Sequence, residues 1–489
     1  MNILVIDVGT SSMRGILYRQ NGEKIFVKQV RYQPVHTGMG WVEQPARDFE
    51  DALLLIVRAF SSRLENFQTE MDAVTLTAQR SSVIPVDVRG KPLMPAMMWQ
   101  DTRNHEVCEE LEVYNETISS ISGAKVNTVF SGSKMTWLRQ KKPEVYNKVH
   151  KLVNIPEYLL HMMTGEYVTD YTYGSRSNLM NLQTCVWDQE LLDLFQVKEE
   201  HLCRLIPPGT VCGRITKAFS KKSGLKEGLP VISAGGDQQC AAVGQGAFRE
   251  GVASIVTGTG AFLVTTVDAV PEYRSGDIIC NCSAVKGKYI VETNVLACCS
   301  AFDWFCRNFY DWEKVDYEMI NRELEAMYSE DENCIVLPYF QGRSTPEWNA
   351  NATAVFANIT LGTKRKDILK AILEGIFMEI NNNIQTLRQY ADIHCAYISG
   401  GLTNSRVLNH MQADIYGMPL YHMEDSESTA AGALMVALKN LGIYQSYDEA
   451  FSMIRNPETA AKYEPKAERQ KRYVDKQLYM NQLYDKIYK

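Results

Sequence analysis

The sequence predicts an α/β protein of two domains, and three observations carry that prediction. The chain has 489 residues, beyond the size at which one hydrophobic core keeps growing, so two domains of roughly 200 to 250 residues are expected. Two phrases of like build, MNILVIDVGTSSMRGILY at the start and GVASIVTGTGAFLVTT near the middle, each set a Gly/Thr/Ser break between apolar runs. After each phrase come more strand-like runs and then amphipathic helical ones, the alternation expected of sheets with covering helices. The repeat is of whole domains rather than of a short solenoid unit, and the expected division is 1–243 and 244–489.

Each element has its own reason. Residues 2–8 and 13–18 read as strands around the first break, with 23–31 continuing the meander. In GWVEQPARDFEDALLLIVRAF, Pro45 suits a helix's first turn and Asp48 and Glu50 its positive end, while Phe49, Leu53, Ile56 and Phe60 form an apolar stripe. A strand over 72–77 runs into Gln79, Arg80 and Ser81, and helical patterns cover 103–113, 133–140 and 155–163. Polar residues thus gather at strand ends, where open α/β sheets bind ligands. After KEGLPVISAGGD the pattern restarts, with strands at 252–257 and 261–266, then near 278–283 and 288–292.

A long helix over 366–390 places Ile368, Ile372, Ile376, Ile380 and Ile384 at every fourth position, widened by Leu369, Leu373, Phe377 and Leu387, which puts it in the second core. A strand at 395–399 enters Gly400 and Gly401, followed by a helix with Leu408, Met411 and Ile415 on one side. The last 25 residues are expected to dock as an amphipathic helix bearing Tyr473, Val474, Leu478, Tyr479, Leu483, Tyr484 and Ile487.

Composition narrows the function. A formal charge of −7 offers no concentrated basic surface for a nucleic acid. No run approaches the roughly 18 apolar residues of a membrane helix. The start reaches Asp7 without a basic stretch or a small-residue cleavage site, so a cytoplasmic protein is expected. Twelve cysteines lie scattered without repeated CxxC spacing and read as buried small hydrophobes rather than as metal ligands.

The two breaks carry the chemistry. In DVGTSS, Gly9 permits a tight turn, and Thr10, Ser11 and Ser12 offer hydroxyls and amides to an anion. Asp7 faces a phosphate only with a cation between them, so the pairing implies Mg²⁺, held directly or through water. VTGTGAF sets Gly258 and Gly260 around Thr259 in the same surroundings. Either turn alone reads equally well as a polar hairpin. Together, at the starts of two half-chains, they fit a polyphosphate held from both sides, with domain closure expelling water.

IDVGTSSMRGILY resembles the first phosphate motif of the actin, hexokinase and heat-shock chaperone superfamily, and VTGTG its second. That resemblance implies two ribonuclease-H-like (actin-like ATPase) domains with a deep interdomain cleft. GWVEQ, LTAQRSS, PAMMWQDTR, FSGSKMTWL, GGDQQCAAVGQG, VTGTG, SGGLTNSRVLNHMQADIYGMPL and ESTAAGALMVAL, in this order, resemble the FGGY carbohydrate kinases, which include glycerol kinase, xylulokinase, gluconokinase and ribulokinase. The implied activity is ATP-dependent transfer of the γ-phosphate to a hydroxyl of a small sugar or polyol.

By that resemblance Asp237 is the general base that accepts the hydroxyl proton; read by itself it is also a helix N-cap. The resemblance assigns Asp7, with Asp237, to Mg²⁺, and Thr10, Ser11, Ser12 and Arg14 to the outer phosphates. It assigns Gly258 and Thr259 to the β-phosphate side, and Gly400, Gly401, Asn404 and Ser405 to the adenine loop. Cys299 and Asp303 stand where glycerol kinase has Gly and Gln, so the ribose and adenine wall is expected to differ.

On the acceptor side stand Gln79, Arg80, Ser81, Trp99, Asp101, Val129 and Gln238. Glycerol kinases carry Glu in place of Ser81 and Tyr in place of Val129, while WQDTR resembles the W-x-D-x-R of pentulose and aldonate kinases. Losing Glu and Tyr enlarges the pocket. A four- to six-carbon acceptor, a ketopentose or polyol, is therefore favoured, with glycerol or a gluconate-type aldonate as alternatives. A non-kinase ATPase of the superfamily, or a sugar sensor, is the alternative of another class; the ATPase has no need of the GGDQ and WQDTR segments, and the sensor would want an appended DNA-binding module. The expected partners are ATP and a small sugar or polyol, and a homodimer is left open.

Overall fold

The computed structural model describes residues 1–61, 71–272, 277–310, 316–328, 333–423 and 427–489. They form two compact units, which are not consecutive halves of the chain. The first comprises Met1–Phe248, Asp268–Ile290 and Glu427–Asn456; the second comprises Arg249–Val267, Val291–Ser426 and Pro457–Lys489.

In the first unit, strands β1 (Asn2–Val8), β2 (Ser12–Arg19), β3 (Lys24–Arg31), β4 (Ala73–Ala78), β5 (Val211–Arg214) and β6 (Pro230–Gly236) lie in the order β3-β2-β1-β4-β6-β5. β1 is antiparallel to β2 and parallel to β4, β4 is parallel to β6, and β6 is antiparallel to β5. The second sheet has seven strands, six of which, β7 (Val252–Thr257), β8 (Ala261–Val267), β9 (Tyr289–Val295), β10 (Cys395–Gly400), β11 (Leu420–His422) and β12 (Ala461–Tyr463), follow the order β9-β8-β7-β10-β11-β12. The directions match as well: β7 is antiparallel to β8, β7, β10 and β11 run parallel, and β12 is antiparallel. The duplication read from two short phrases therefore extends over six strands of each sheet.

This topology positions the chemistry. Parallel register sets Asp7 beside Thr77 and Thr77 beside Gly235, with Val8, Ala78 and Gly236 in the next row. The loops after β1, β4 and β6 therefore leave the sheet at one edge, the carboxyl end where α/β sheets bind ligands. Beneath the sheet, helix Ala46–Ser61 buries Phe49, Leu53, Ile56 and Phe60 completely, each stabilising the layer by about 1.5–3 kcal/mol.

Later segments complete the first unit. Cys280 N–H donates to Gly123 O at 2.8 Å and Cys282 N–H to Ser175 Oγ at 3.2 Å. Helix Ser428–Asn440 crosses helix Asp237–Gly244 at backbone contact: a Cβ on Gly432 would lie 1.8 Å from Cys240 O, so only glycine fits.

In the second unit helix Arg365–Leu387 is buried on nearly every side; Ile372, Ile376, Ile380 and Ile384 have no exposed surface, and only Ile368 of the expected stripe is half-exposed. Helix Ala467–Tyr488 docks as expected, but through only Tyr473 and Tyr484 of the expected residues, with Met480 between them. Tyr473, Met480 and Tyr484 are buried, whereas Val474, Leu478, Tyr479 and Ile487 face out. The reason lies in the partner helix, which presents polar groups. Gln477 Nε2 donates to Met378 O and to Asn382 Oδ1, both at 2.7 Å, Asn382 Nδ2 donates to Asn481 Oδ1, and Lys476 pairs with the buried Glu374. Among the described residues no helix is long and apolar enough to cross a membrane.

Candidate functional site

The first turn is held from beneath. Gly9 N–H donates to Ser12 O at 2.9 Å, Tyr32 OH and Gln79 Nε2 donate to Gly9 O at 2.8 and 3.2 Å, and Gln29 Nε2 donates to Ser12 Oγ at 2.9 Å. Thr10 and Ser12 are half-buried and Ser11 is exposed. Arg14, expected on the outer phosphates, makes a two-pronged ion pair with Glu427, at 2.8 and 2.9 Å. Glu427 belongs to ESTAAGAL, and its place beside the turn is fixed by chain contacts that no local pattern reveals.

Burial, then the neighbouring Asp237 carboxylate, pushes Asp7 up to about 7; Glu427 adds to the rise and Arg14 opposes it. Such crowding of carboxylates is what a divalent cation relieves. Among the described residues no three acidic, His or Cys side chains close into a cage. Asp7 with Asp237 would suit Mg²⁺, which keeps several waters and takes one or two carboxylates together with substrate phosphates.

Asp237 is the first residue of helix Asp237–Gly244, and Gly236 holds the cap position. Its Oδ1 accepts from Gln238 N–H at 2.7 Å and lies 3.4 Å from Arg80 Nε. Arg80 Nη1 reaches Gln239 Oε1 at 3.4 Å, so the guanidinium lies across the start of the helix. Gln79 is buried: its amide nitrogen meets the turn, and its Oε1 accepts from Ser82 Oγ at 3.1 Å. Ser81 has φ +71° and donates to Arg176 O at 3.3 Å. A left-handed non-glycine residue is strained, and such strain concentrates at functional sites. Gln238 is half-buried beside the base.

Trp99 joins the acceptor wall to the phosphate turn, its indole N–H donating to Thr10 Oγ1 at 2.9 Å and its amide to Ser82 Oγ at 2.9 Å. Asp101 is fully buried. Its Oδ2 accepts from Val42 N–H at 2.7 Å and Arg103 Nη2 at 2.7 Å, and its Oδ1 from Arg103 N–H and Nε at 3.0 and 2.9 Å. A sugar hydroxyl reaches Asp101 only by displacing one of these donors. Arg103 lies over Trp41 at 3.9 Å, which seats the loop.

Val129, half-buried, sits on a loop tied to this one. Asn104 Nδ2 donates to Thr128 O at 3.2 Å and to Ser133 Oγ at 2.7 Å; the buried Lys134 donates to Val129 O at 2.9 Å and also to Thr128 O. Burial pulls the Lys134 ammonium down to about 7.

In the second unit the register sets Thr257 beside Gly400. Gly258 and Thr259 are exposed at the turn, and Gly258 N–H donates to Gly260 O at 2.8 Å. The first amides of helix Cys299–Phe309 point at this turn: Cys298 N–H donates to Thr259 O at 2.8 Å and Cys299 N–H to Gly258 O at 3.0 Å. Cys299 Sγ lies 3.3 Å from where a Cβ on Gly401 would be, so Cys299 sits against the Gly400–Gly401 loop. Asp303 lies one turn along the same helix, half-buried. Gly400, Gly401 and Asn404 are exposed, while Ser405 caps helix Arg406–Tyr416 and donates to Asn321 Oδ1 at 2.7 Å.

Known proteins resemble this chain in sequence and in fold. Residues 2–244 match the profile of the "FGGY family of carbohydrate kinases, N-terminal domain" and residues 253–441 match that of its C-terminal domain. The chain belongs to the FGGY family of carbohydrate kinases. A glycerol kinase of Thermococcus onnurineus is 29% identical over 92% of this chain and 91% of its own length. The crystal structure of a ligand-bound xylulose kinase from Lactobacillus acidophilus superposes with TM-score 0.92 at 24% identity, over 99% of this chain and 98% of that one. A gluconate kinase from the same organism gives TM-score 0.91 at 24% identity, over 100% and 98%. This FGGY kinase has the actin-like ATPase fold and is a phosphotransferase acting on an alcohol group, with ATP as the donor the family implies. The reading as a non-kinase ATPase or sugar sensor gives way to it.

Proposed function

We propose that this FGGY kinase phosphorylates a four- to six-carbon polyol or ketose with Mg-ATP, Asp237 accepting the proton of the attacking hydroxyl. The observation that carries the reading is the meeting, at one sheet edge, of Asp237, Arg80 and the Asp7 turn. Mg²⁺ would be held by Asp7 and Asp237, directly or through water, and would supply charge neutralisation for the transferring phosphoryl group. Arg80 orients the acceptor hydroxyl toward Asp237 Oδ, Trp99 covers the sugar's C–H face, and the Thr10 hydroxyl that Trp99 touches links acceptor and phosphate positions. In the second unit, Gly258, Thr259, Gly400 and Gly401 expose backbone suited to the close approach of a nucleotide.

Ser81 and Val129, smaller than the Glu and Tyr of glycerol kinases, support an acceptor longer than glycerol. A buried, fully engaged Asp101 favours neutral polyols and ketoses over a substrate that would recruit Arg103 as a carboxylate partner, so a gluconate-type acceptor ranks second. The functional division we propose follows 1–243 for acceptor, first phosphate motif and base, and 244–489 for nucleotide; because ATP is made and spent in the cytoplasm, we place the reaction there.

The test is ADP release across a panel of C3 to C6 polyols, ketoses and aldonates with the wild type and Asp237→Asn. The variant is expected to lose at least about a hundredfold in kcat on the best acceptor. Wild-type turnover in the variant sinks the base assignment, and a clear preference for glycerol sinks the substrate class.

A further inference from the structure

β6 is irregular just before it delivers Asp237. Its pairing with β4 shifts register between Ser233 and Gly235, and Gly235 has φ +121°. A bulge of this kind re-aims the chain beyond it, and here the chain beyond it begins with the residue we assign as base. The irregularity is gripped from both sides by one short segment, Asp170–Tyr173. Asp170 is fully buried; its Oδ2 accepts from Ser233 Oγ at 2.5 Å, and its Oδ1 accepts from Thr172 Oγ1 at 2.5 Å and Thr172 N–H at 2.9 Å. Thr172 Oγ1 in turn accepts from Gly236 N–H at 2.8 Å. One carboxylate thus spans the bulge, touching its near end directly and its far end through one hydroxyl. The carbonyl between them, Gly235 O, accepts from Tyr173 OH and Thr77 Oγ1, both at 2.8 Å.

We infer that Asp170 and Thr172 are positioning residues for phosphoryl transfer, clamping the Ser233–Gly236 bulge so that Asp237 is held on the line of the attacking hydroxyl. The inference rests on Asp237 being the base. Both residues act from behind the strand, and their route to the chemistry runs through the backbone of Gly236. A displacement of about 1 Å at a reacting group costs up to about a hundredfold in rate, whereas Trp99, tied to Thr10 and Ser82 rather than to the helix, stays in place. The signature is therefore a loss in kcat with KM unmoved, which a general loosening of the fold would not give.

Thr172→Val keeps shape and removes the acceptor for Gly236 N–H. Expected is a fall in kcat of about tenfold to a hundredfold, with KM for acceptor and for ATP within about twofold of wild type, and recovery of most of the rate in Thr172→Ser. Tyr173→Phe, which removes one donor to Gly235 O with little change in volume, is the second variant and is expected to show the same split, smaller in size. Asp237→Asn is assayed alongside. If it keeps turnover, the base assignment falls and this inference falls with it. If it is inactive while Thr172→Val or, should that variant not fold, Tyr173→Phe has wild-type kcat, or loses only through KM, the clamp is overturned and the base assignment stands.

Discussion

The turn after β1 and the turn after β7 occupy the same place in two sheets that share a six-strand order, yet they are held by different means. In the first, side chains do the holding: Tyr32 and Gln79 donate to Gly9 O, Trp99 donates to Thr10, and Arg14 and Glu427 pair beside Asp7. In the second, backbone does most of it: the first amides of helix Cys299–Phe309 donate to the carbonyls of Gly258 and Thr259, joined there by Ser300 Oγ at 2.9 Å, and Gly400 packs against Thr257. A duplicated element has kept its topology while the charge has collected on one copy. On the function proposed above, the charged turn would manage a cation and the uncharged one would let a nucleotide approach main chain.

The largest expected effect breaks this comparison at Asp7. Asp7→Asn preserves shape and should leave the fold intact while lowering kcat by at least about a hundredfold, because the metal's contribution to phosphoryl transfer is several kcal/mol. pH sharpens the same point. Asp7 is pushed up to about 7 by burial and by Asp237, and a proton there competes with the cation. The free Mg²⁺ needed for half-maximal rate should therefore rise as pH falls from about 8 to 6. An Mg²⁺ requirement that does not change over that range removes Asp7 from the metal site.

The duplication and both turns were legible in the sequence because each rests on a local pattern: apolar runs of strand length around a Gly/Thr break, repeated once. Asp237 was legible through the GGDQ motif, although its place as first helical residue rather than cap was not, since Asp suits both. Glu427 was not legible as Arg14's partner; 413 residues separate them, and only the return of helix Ser428–Asn440 onto helix Asp237–Gly244 joins them. The Asp170 clamp hid for the same reason. Residue type identified Asp101 as an acceptor but could not say that Arg103 and the Val42 amide would fill it. The C-terminal helix was legible as a docked helix, but only Tyr473 and Tyr484 of its expected residues are buried, because a polar partner helix selects the face.

A smaller effect is expected where the uncharged turn is disturbed. Gly400 has φ +102°, and a Cβ there would lie 2.0 Å from Thr257 O. Gly400→Ala should cost about 2 to 4 kcal/mol of stability through strain and overpacking and raise KM for ATP, with the acceptor KM little changed. The contrast with Asp7→Asn is the point: one turn fails in chemistry with its fold kept, the other in fold and nucleotide affinity. Equal melting temperatures for Gly400→Ala and wild type would dissolve it.

The smallest effect concerns what the first unit accepts. Val129 stands on a loop that Asn104, Ser133 and Lys134 hold at fixed distance from the Trp99 segment, so added bulk at Val129 cannot be absorbed by the loop sliding away. Val129→Tyr should therefore narrow the pocket rather than rearrange it. Shape discrimination in such pockets is worth about 1 to 3 kcal/mol, so kcat/KM for a five-carbon acceptor should fall by about tenfold relative to that for glycerol, with KM for ATP unmoved. If both acceptors lose equally, Val129 lies outside the pocket and acceptor length is set elsewhere, with the strained Ser81 as the next position to exchange.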